Sequence, residues 1–340
     1  MTTVLIVNPT SGPNGNSALV PDLANALHSE GIDAQICPTT PEENGQGLAA
    51  AAAKGGARLV IVAGGDGTIE AVARGLAHTQ TALGIIPQGT RNNIAASLNI
   101  PTDTAQAIQV LVEGECGQFD LGKANNHYFM EVVGIGLEAT LFPHGDSVKE
   151  GIKNDYWAAL KSFVKGLKTF LQFQSRRLVL QFDGRRVRLH TLQVNICNSP
   201  RYGVEFDLAP QASMNDGKLD LIYLNRPSKW DHFRHFFAAM RSKQLPQNRL
   251  HTHQVSAIEV RGYPALEVHA DGEYIGPTPV IVEVVPKALW IWVPTPELVA
   301  TFAEQTRAAE RGGLFSFGQR PDPPEPKGPA PNSAPQRPPI

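Results

Sequence analysis

The sequence predicts an α/β domain built on a parallel sheet, followed by a β-rich antiparallel sandwich. Three observations carry that expectation. Residues 1 to about 120 alternate short apolar runs with segments of helical spacing, the pattern of a parallel sheet covered on both faces. Beyond Asp120, short runs of alternating polarity take over. Asp183-Gly184 and Asp271-Gly272 each lie between two such runs, where a tight hairpin needs residues that tolerate positive φ.

The elements follow in order. TVLIVNP (3–9) is a buried-strand run ended by Asn8 and Pro9. ALVPDLANALHSEG (18–31) has helical spacing and stops at Gly31. DAQICPT (33–39) is a second strand, and GQGLAAAAAKGG (45–56) an alanine-rich helix. RLVIVAGG (58–65) is a third strand, with a helix beginning near Ile69. ALGIIPQG (82–89) is a fourth strand, and TDTAQAIQVLVEG (102–114) another helix. In the second half a helical segment covers roughly 150–173. Alternating runs then follow at 177–197, 217–225, 255–262, 265–276, 280–286 and 288–294. A helix over 228–243 interrupts them, and Ser228 and Asp231 have the spacing of a capping box. These readings divide the chain into domains at 1–122 and 123–295, a helix at 296–312 that docks back on the first domain, and a tail at 313–340. The last 20 residues hold 9 of the 27 prolines, too little apolar surface to order by burial.

Bulk composition excludes several classes. At 340 residues the chain is long enough for two cores without staples. Its net charge of −2 recruits neither nucleic acid nor membrane globally. Cys37, Cys116 and Cys197 lie far apart and read as reduced thiols of the cytosol. No apolar run reaches the length of a bilayer span. The ten histidines show no zinc spacing, and no Gly-x-Ser-x-Gly elbow points to a hydrolase.

The chemistry centres on GGDGT, residues 64–68. A strand, a glycine turn and a helix start place main-chain N–H groups at the positive end of a helix. Gly64, Gly65 and Gly67 let an oxygen approach the backbone closely, and Thr68 offers a hydroxyl. The loop lacks the Gly-Lys-Ser/Thr of a Walker motif and does not fit Gly-x-Gly-x-x-Gly. Asp66 admits two readings: an N-cap of the following helix, or a partner of a phosphate through a cation. A carboxylate beside a phosphate repels it unless a cation lies between them, and Mg²⁺ is a hard ion that keeps several waters. The second reading makes the ligand a metal-nucleotide.

Six segments together, VNPTSG (7–12), GGDGT (64–68), GIIPQGTRNN (84–93), DLGK (120–123), NDGKLDL (215–221) and HADGE (269–273), resemble the diacylglycerol kinase catalytic family in order and spacing. The resemblance is strongest to the soluble bacterial lipid kinases and covers residues 1 to about 300. It implies an α/β domain like that of phosphofructokinase and NAD kinase, then a β-rich domain, with the nucleotide in the cleft between. It implies ATP and Mg²⁺. Asn8, Thr10, Ser11, Thr40, Gly64, Gly65, Asp66, Gly67, Thr68 and Thr90 would line the nucleotide site. Asp66 and Asp120 would belong to acids around a hydrated magnesium. Ser213, Asp216 and Lys218 would hold a second, structural magnesium, using main-chain oxygens at the first and last. Glu273 would be the general base that takes a proton from the substrate hydroxyl. Family members can form homodimers.

The chain departs from the family pattern at two positions. Glu70 stands where the family usually has Asn, and Asn93 stands where it usually has Asp. Asn93 supplies no charge, though its carbonyl can accept from a metal-bound water; Glu70 would restore the charge if it points toward the same ion.

Residues 142–190 carry ten Lys or Arg against four acids, and 155–173 form a basic amphipathic pattern. Such a helix packs its apolar side into a core or lies on an anionic membrane surface. The reading is therefore a cytosolic ATP-dependent lipid kinase that visits membranes, with a lipid alcohol, diacylglycerol by default, as acceptor and no nucleic-acid partner. A soluble kinase resembling NAD kinase, and a lipid- or nucleotide-binding protein without turnover, stay open as alternatives.

Overall fold

Four short apolar strands, β1 (Thr3–Val7), β2 (Ala34–Pro38), β3 (Leu59–Gly64) and β4 (Ala82–Pro87), lie parallel in the order β2-β1-β3-β4. They belong to a computed structural model that describes residues 2–11, 19–137, 173–202, 206–226, 228, 230–231 and 250–316. Side chains at Leu5, Ile6, Val60, Ile61, Val62, Leu83, Ile85 and Ile86 are buried, as continuous apolar strands require when both sheet faces are covered. The connections are helices α1 (Leu19–Ser29), α2 (Gln46–Lys54), α3 (Asp66–Leu76), α4 (Asn93–Ser97) and α5 (Thr104–Glu113). Asp103 caps α5 by accepting from the Gln106 N–H at 3.0 Å.

Helix α3 is buried nearly all round, at Thr68, Ile69, Glu70, Ala71, Val72, Ala73 and Leu76. Its neighbour α2 passes close enough that a Cβ on Gly75 would strike the Gln46 carbonyl and lie 2.9 Å from the Ala49 methyl. The helix starts at Asp66, three residues before the expected Ile69, because Gly65 in extended backbone already serves as its N-cap. The short helix α4 had no counterpart in the sequence reading. It follows Asn92, which adopts left-handed backbone at φ 54°.

The antiparallel part comprises β5 (Glu115–Ala124), β6 (His127–Phe129), β7 (Val132–Gly136), β8 (Arg176–Phe182), β9 (Arg185–Thr191), β10 (Gln193–Cys197), β11 (Arg201–Tyr202), β12 (Phe206–Asp207), β13 (Leu219–Leu224), β14 (Leu250–Val255), β15 (Ala257–Tyr263), β16 (Glu267–Ala270), β17 (Glu273–Pro277) and β18 (Val280–Val293). One sheet runs β14-β13-β10-β7-β16-β17, while β15, β8 and β9 extend the first sheet beyond β18. The two sheets meet through Leu178, Leu180, Phe182 and Leu189 against Val133, Ile135, Val194, Ile196, Leu219 and Leu221. Both Asp-Gly turns form as expected, with φ of 48° and 69° at Asp183 and Gly184, and 46° and 88° at Asp271 and Gly272.

Strand β18 joins the two halves. Its first residues pair with β15 and its last with β4 in parallel, while β5 runs antiparallel to it from Val282 to Val293. The runs at 280–286 and 288–294, read from sequence as separate strands, are one strand with an irregularity between Val285 and Leu289. The first sheet is thus continuous from β2 to β9.

Ser228 and Asp231 make the reciprocal contacts of the expected capping box: the Ser228 N–H and hydroxyl donate to the Asp231 carboxylate at 2.9 and 2.8 Å, and the Asp231 N–H donates to the Ser228 hydroxyl at 3.1 Å. A helix, α6 (Pro296–Ser316), occupies the span where 296–312 was expected. The chain divides into compact units Met1–Val299 and Ala300–Ile340, and β1–β18 with α1–α5 lie in the first. The basic helical segment at roughly 150–172, residues 232–243 of the expected helix over 228–243, and the proline-rich tail from 317 lie outside the described residues.

Candidate active site

Four of the predicted nucleotide segments converge at the carboxyl ends of the parallel strands. Asn8–Ser11 follows β1, Thr40 follows β2, Gly64–Thr68 ends β3 and opens α3, and Thr90 follows β4. Open α/β sheets bind ligands at this edge, because helix N-termini and flexible turns collect there. The Asn8 amide donates to the Thr68 hydroxyl at 3.1 Å, and the Thr10 N–H and hydroxyl donate to the Asn8 side-chain oxygen at 3.0 and 2.8 Å. The Ser11 N–H donates to the Asn8 carbonyl at 3.2 Å. Thr40 closes a turn with Glu43, each N–H donating to the other's carbonyl at 3.0 and 3.2 Å. Thr90 is exposed.

The two glycine loops touch. The Gln88 N–H donates to the Gly64 carbonyl at 2.8 Å. A Cβ on Gly89 would stand 2.6 Å from the Gly65 Cα and 2.8 Å from the Asn92 side-chain oxygen, so only glycine fits there. Asn92 locks its own turn, accepting from the Gly89 N–H at 2.8 Å and donating to the Gly89 carbonyl at 3.0 Å.

Asp66 is not the cap of its own helix. Gly65 holds that position, and the Asp66 carboxylate reaches across to α4, accepting from the Ile94 N–H at 3.2 Å. Burial raises its pKa from the ordinary aspartate value, against the lowering effect of the Ile94, Asn93 and Asn92 main chain and of the Arg91 charge.

Asp66, Glu70 and Arg74 stand four residues apart on α3 and so share one face. The second half of the chain meets that face with His127 from β6, Glu131 just before β7, and Asp271 and Glu273 from the β16–β17 turn. Carboxylate oxygens of Glu70, Glu131 and Asp271 lie within 4.8 Å of one another. Asp271 sits in a nest of main-chain donors, accepting from the N–H groups of Met130, Glu131 and Val132 at 2.6, 2.9 and 2.8 Å. Burial nevertheless pushes its pKa up to about 6. Glu70 and Glu131 are each at most 5% exposed, and burial raises both carboxyls well above the usual range. The Asp271 charge adds to both shifts; Arg74 opposes that of Glu70, and Arg91 that of Glu131. One Glu131 oxygen, Oε1, is buried with no hydrogen-bond partner.

At the rim of this cluster Glu273 is 59% exposed, with its Oε2 3.3 Å from Arg74 Nη1 and 3.6 Å from His127 Nε2. Arg74 Nη1 lies 2.9 Å from the same His127 nitrogen. A guanidinium only donates, so Nε2 is the acceptor and the ring is neutral with its proton on Nδ1. Burial, then the Arg74 charge, hold the His127 pKa below its ordinary value, with Glu273 opposing. Glu273 therefore has one cation as partner, Arg74.

Asp120 is held by main-chain donors from two segments. Its carboxylate accepts from the Gly217 N–H at 2.7 Å and the Lys287 N–H at 2.8 Å, at the irregularity in β18. Its main-chain N–H donates to the Met214 carbonyl at 2.6 Å. Asp120 thus braces the loop that carries Ser213, Asp216 and Lys218. In that loop the Ser213 hydroxyl donates to the Asn215 side-chain oxygen at 2.7 Å, and the Lys218 N–H donates to the Asp216 carboxylate at 2.9 Å. The Gln254 amide donates to the other Asp216 oxygen at 3.3 Å.

Magnesium, the ion that the resemblance implies, prefers hard oxygen donors. The set around α3 is made of carboxylates and includes Glu131, one of whose oxygens is buried with no hydrogen-bond partner, so these residues fit it. Sequence reasoning placed Asp66, Glu273 and Glu70 here but missed Glu131, Arg74 and His127, and read Asp271 as a turn residue alone. Arg74 was detectable as the third member of an i, i+4, i+8 row. Glu131 carried no local signal.

Residues 2–124 match the family model described as diacylglycerol kinase catalytic domain, and residues 132–293 match the YegS C-terminal NAD kinase beta sandwich-like domain. A curated diacylglycerol kinase of Staphylococcus saprophyticus is 27% identical over 279 residues, covering 81% of this chain and 90% of its own. A diacylglycerol kinase of Bacillus subtilis is 26% identical over the same shares. A crystal structure of a diacylglycerol kinase from Bacillus anthracis superposes with a TM-score of 0.68 at 20% identity, covering 87% of this chain and 98% of that one, which is a likeness of fold. Residues 2–124 thus form a domain of the diacylglycerol kinase catalytic family, and residues 132–293 a YegS-type sandwich.

Proposed function

We propose that this chain is an ATP-dependent lipid kinase that transfers the γ-phosphate of ATP to the hydroxyl of a lipid alcohol, with diacylglycerol the default acceptor. The observation that carries the reading is the placement of Glu273. An exposed carboxylate is held by Arg74 on the same helix whose N-terminus forms the glycine loop. A base for the acceptor, carried by β17, is thus tied through Arg74 to the helix whose N-terminus cradles the donor phosphates.

The residues divide the work. Main-chain N–H groups at the start of α3, with Thr68 tied to Asn8 and Asn8 in turn to Thr10, bind and orient the phosphates. The close contact of Gly65 and Gly89 keeps side chains out of their path. Magnesium, when bound, would neutralise phosphate charge, and Asp66, whose carboxylate accepts from the Ile94 N–H, would hold it through water. Glu273 accepts the proton of the lipid hydroxyl as that oxygen attacks, and Arg74 fixes the carboxylate in place. Base catalysis of this kind contributes less than positioning and charge neutralisation. Asp120 keeps the 213–218 loop in register with β18, and Ser213, Asp216 and Lys218 suit a second magnesium. The protein works in the cytosol and meets its substrate at a membrane surface, as one chain or as a homodimer.

Labelled ATP offered with a panel of lipid alcohols and soluble acceptors tests the reading. Label in a lipid phosphomonoester supports it. Label in NAD or another soluble acceptor, or nucleotide binding without transfer, contradicts it.

A further inference from the structure

Glu70, Glu131 and Asp271 bring three buried carboxyl groups together. With Asp66, four carboxyl groups lie under the influence of two guanidiniums, Arg74 and Arg91, so all four cannot ionise together unless a further cation joins them. His127 is neutral and Glu273 is a further acid at the rim, so neither supplies it. Buried carboxylates without counter-charge are costly, and leaving one oxygen with no donor adds to that cost. The Glu131 Oε1 is such an oxygen, on a side chain only 4% exposed. Its neighbours in the group are also oxygens, within 4.8 Å of one another, a spread that ligands around one six-coordinate hard cation can adopt.

We propose that Glu70, Glu131 and Asp271 bind a divalent cation directly, behind Asp66 and independently of nucleotide. The inference deepens the proposed kinase reading by assigning a resident metal to side chains other than Asp66 and Asp120. The site couples the halves of the chain, since Glu70 comes from α3 and the other two ligands flank β7 and the β16–β17 turn. An ion there holds the β16–β17 turn, and hence Glu273, against α3. It also accounts for acids at 70 and 131 alongside a neutral Asn93: charge absent beside Asp66 reappears one helical turn deeper.

The test is Mn²⁺ titration of the full chain without nucleotide, read by calorimetry and by the loss of the free Mn²⁺ paramagnetic signal. An Asp216→Asn background removes the other candidate metal loop. One Mn²⁺ is expected per chain, displaced by Mg²⁺. Glu131→Gln and, separately, Glu70→Gln should each weaken binding at least about tenfold. Thermal melting supplies a second readout that a merely structural role would not produce. Metal-free Glu131→Gln should melt at or above the metal-free parent, because a repulsive charge is gone, whereas added Mn²⁺ should raise the melting point of the parent alone. Absence of nucleotide-free binding, or binding untouched by both variants, overturns the proposal. Because no nucleotide or lipid is present, that result is distinct from a failure of kinase activity.

Discussion

Glu273 shows how much one residue's role depends on its neighbours. Alone, a carboxylate at a hairpin tip is a solvated charge. Here Arg74 lies 3.3 Å from its Oε2, and a neutral His127 ring stands beside it. Glu273→Gln keeps the shape and removes the proton acceptor. Turnover should fall at least about a hundredfold with ATP affinity nearly unchanged, as initial rates against ATP concentration will show. Near-normal turnover would remove Glu273 from the reaction.

Asp220 on β13 gives a prediction in pH. Burial, with the Asp216 charge, raises its pKa from 3.8 to about 6. The folded state therefore holds a proton that the unfolded chain has lost between those values. Stability falls as pH climbs through that window, and the full cost is present above about pH 6. Asp220→Asn should stabilise the protein at pH 7.5 by about 1 kcal/mol once solvent screening is allowed for, and change little at pH 4. Paired urea unfolding curves at the two pH values check this; an equal effect at both would contradict it.

At the scale of elements, α3 is the hinge of the account. One face carries Asp66, Glu70 and Arg74, and the opposite side meets α2 through Gly75. Removing the cation of the row leaves buried acids facing one another. Arg74→Met should cost about 3 kcal/mol in urea unfolding, with Arg74→Lys recovering part of the loss. Two glycines separate packing from binding. Gly75→Ala and Gly89→Ala each force a close contact, and each should destabilise by about 1–3 kcal/mol. Only the Gly89 variant lies between the phosphate loops, so only it should weaken ATP binding about tenfold or more by calorimetry.

Elements of this kind were largely legible beforehand. The strands β1, β3 and β4 are uniform apolar runs, and both Asp-Gly hairpins announce their turns. Helix α4 was not, because five residues after a left-handed Asn92 leave no periodicity to detect. Strand β18 was split in two because Pro286 and Lys287 interrupt its apolar pattern; the Asp120 carboxylate accepts the Lys287 N–H there.

The whole molecule explains why half of the site escaped the sequence. Asp66, Glu70 and Arg74 share one helix, so spacing alone could group them. Glu131 and Asp271 reach them only because β7 and β16 are neighbours in a sheet assembled from distant segments. A lone Glu131 before an apolar strand looks like any surface acid until the fold buries it. The continuous first sheet, joined through β18, makes the two halves one body around that site. No helix among the described residues is long and apolar enough to cross a membrane.

The most direct measurement is phosphorus NMR of the wild-type protein incubated with Mg²⁺, ATP and diacylglycerol in mixed micelles, beside Asp66→Ala. The account predicts a growing phosphatidate resonance matched by ADP in the wild type, and none above background in the variant. ATP consumed without a lipid phosphomonoester, or equal product from both proteins, would contradict it.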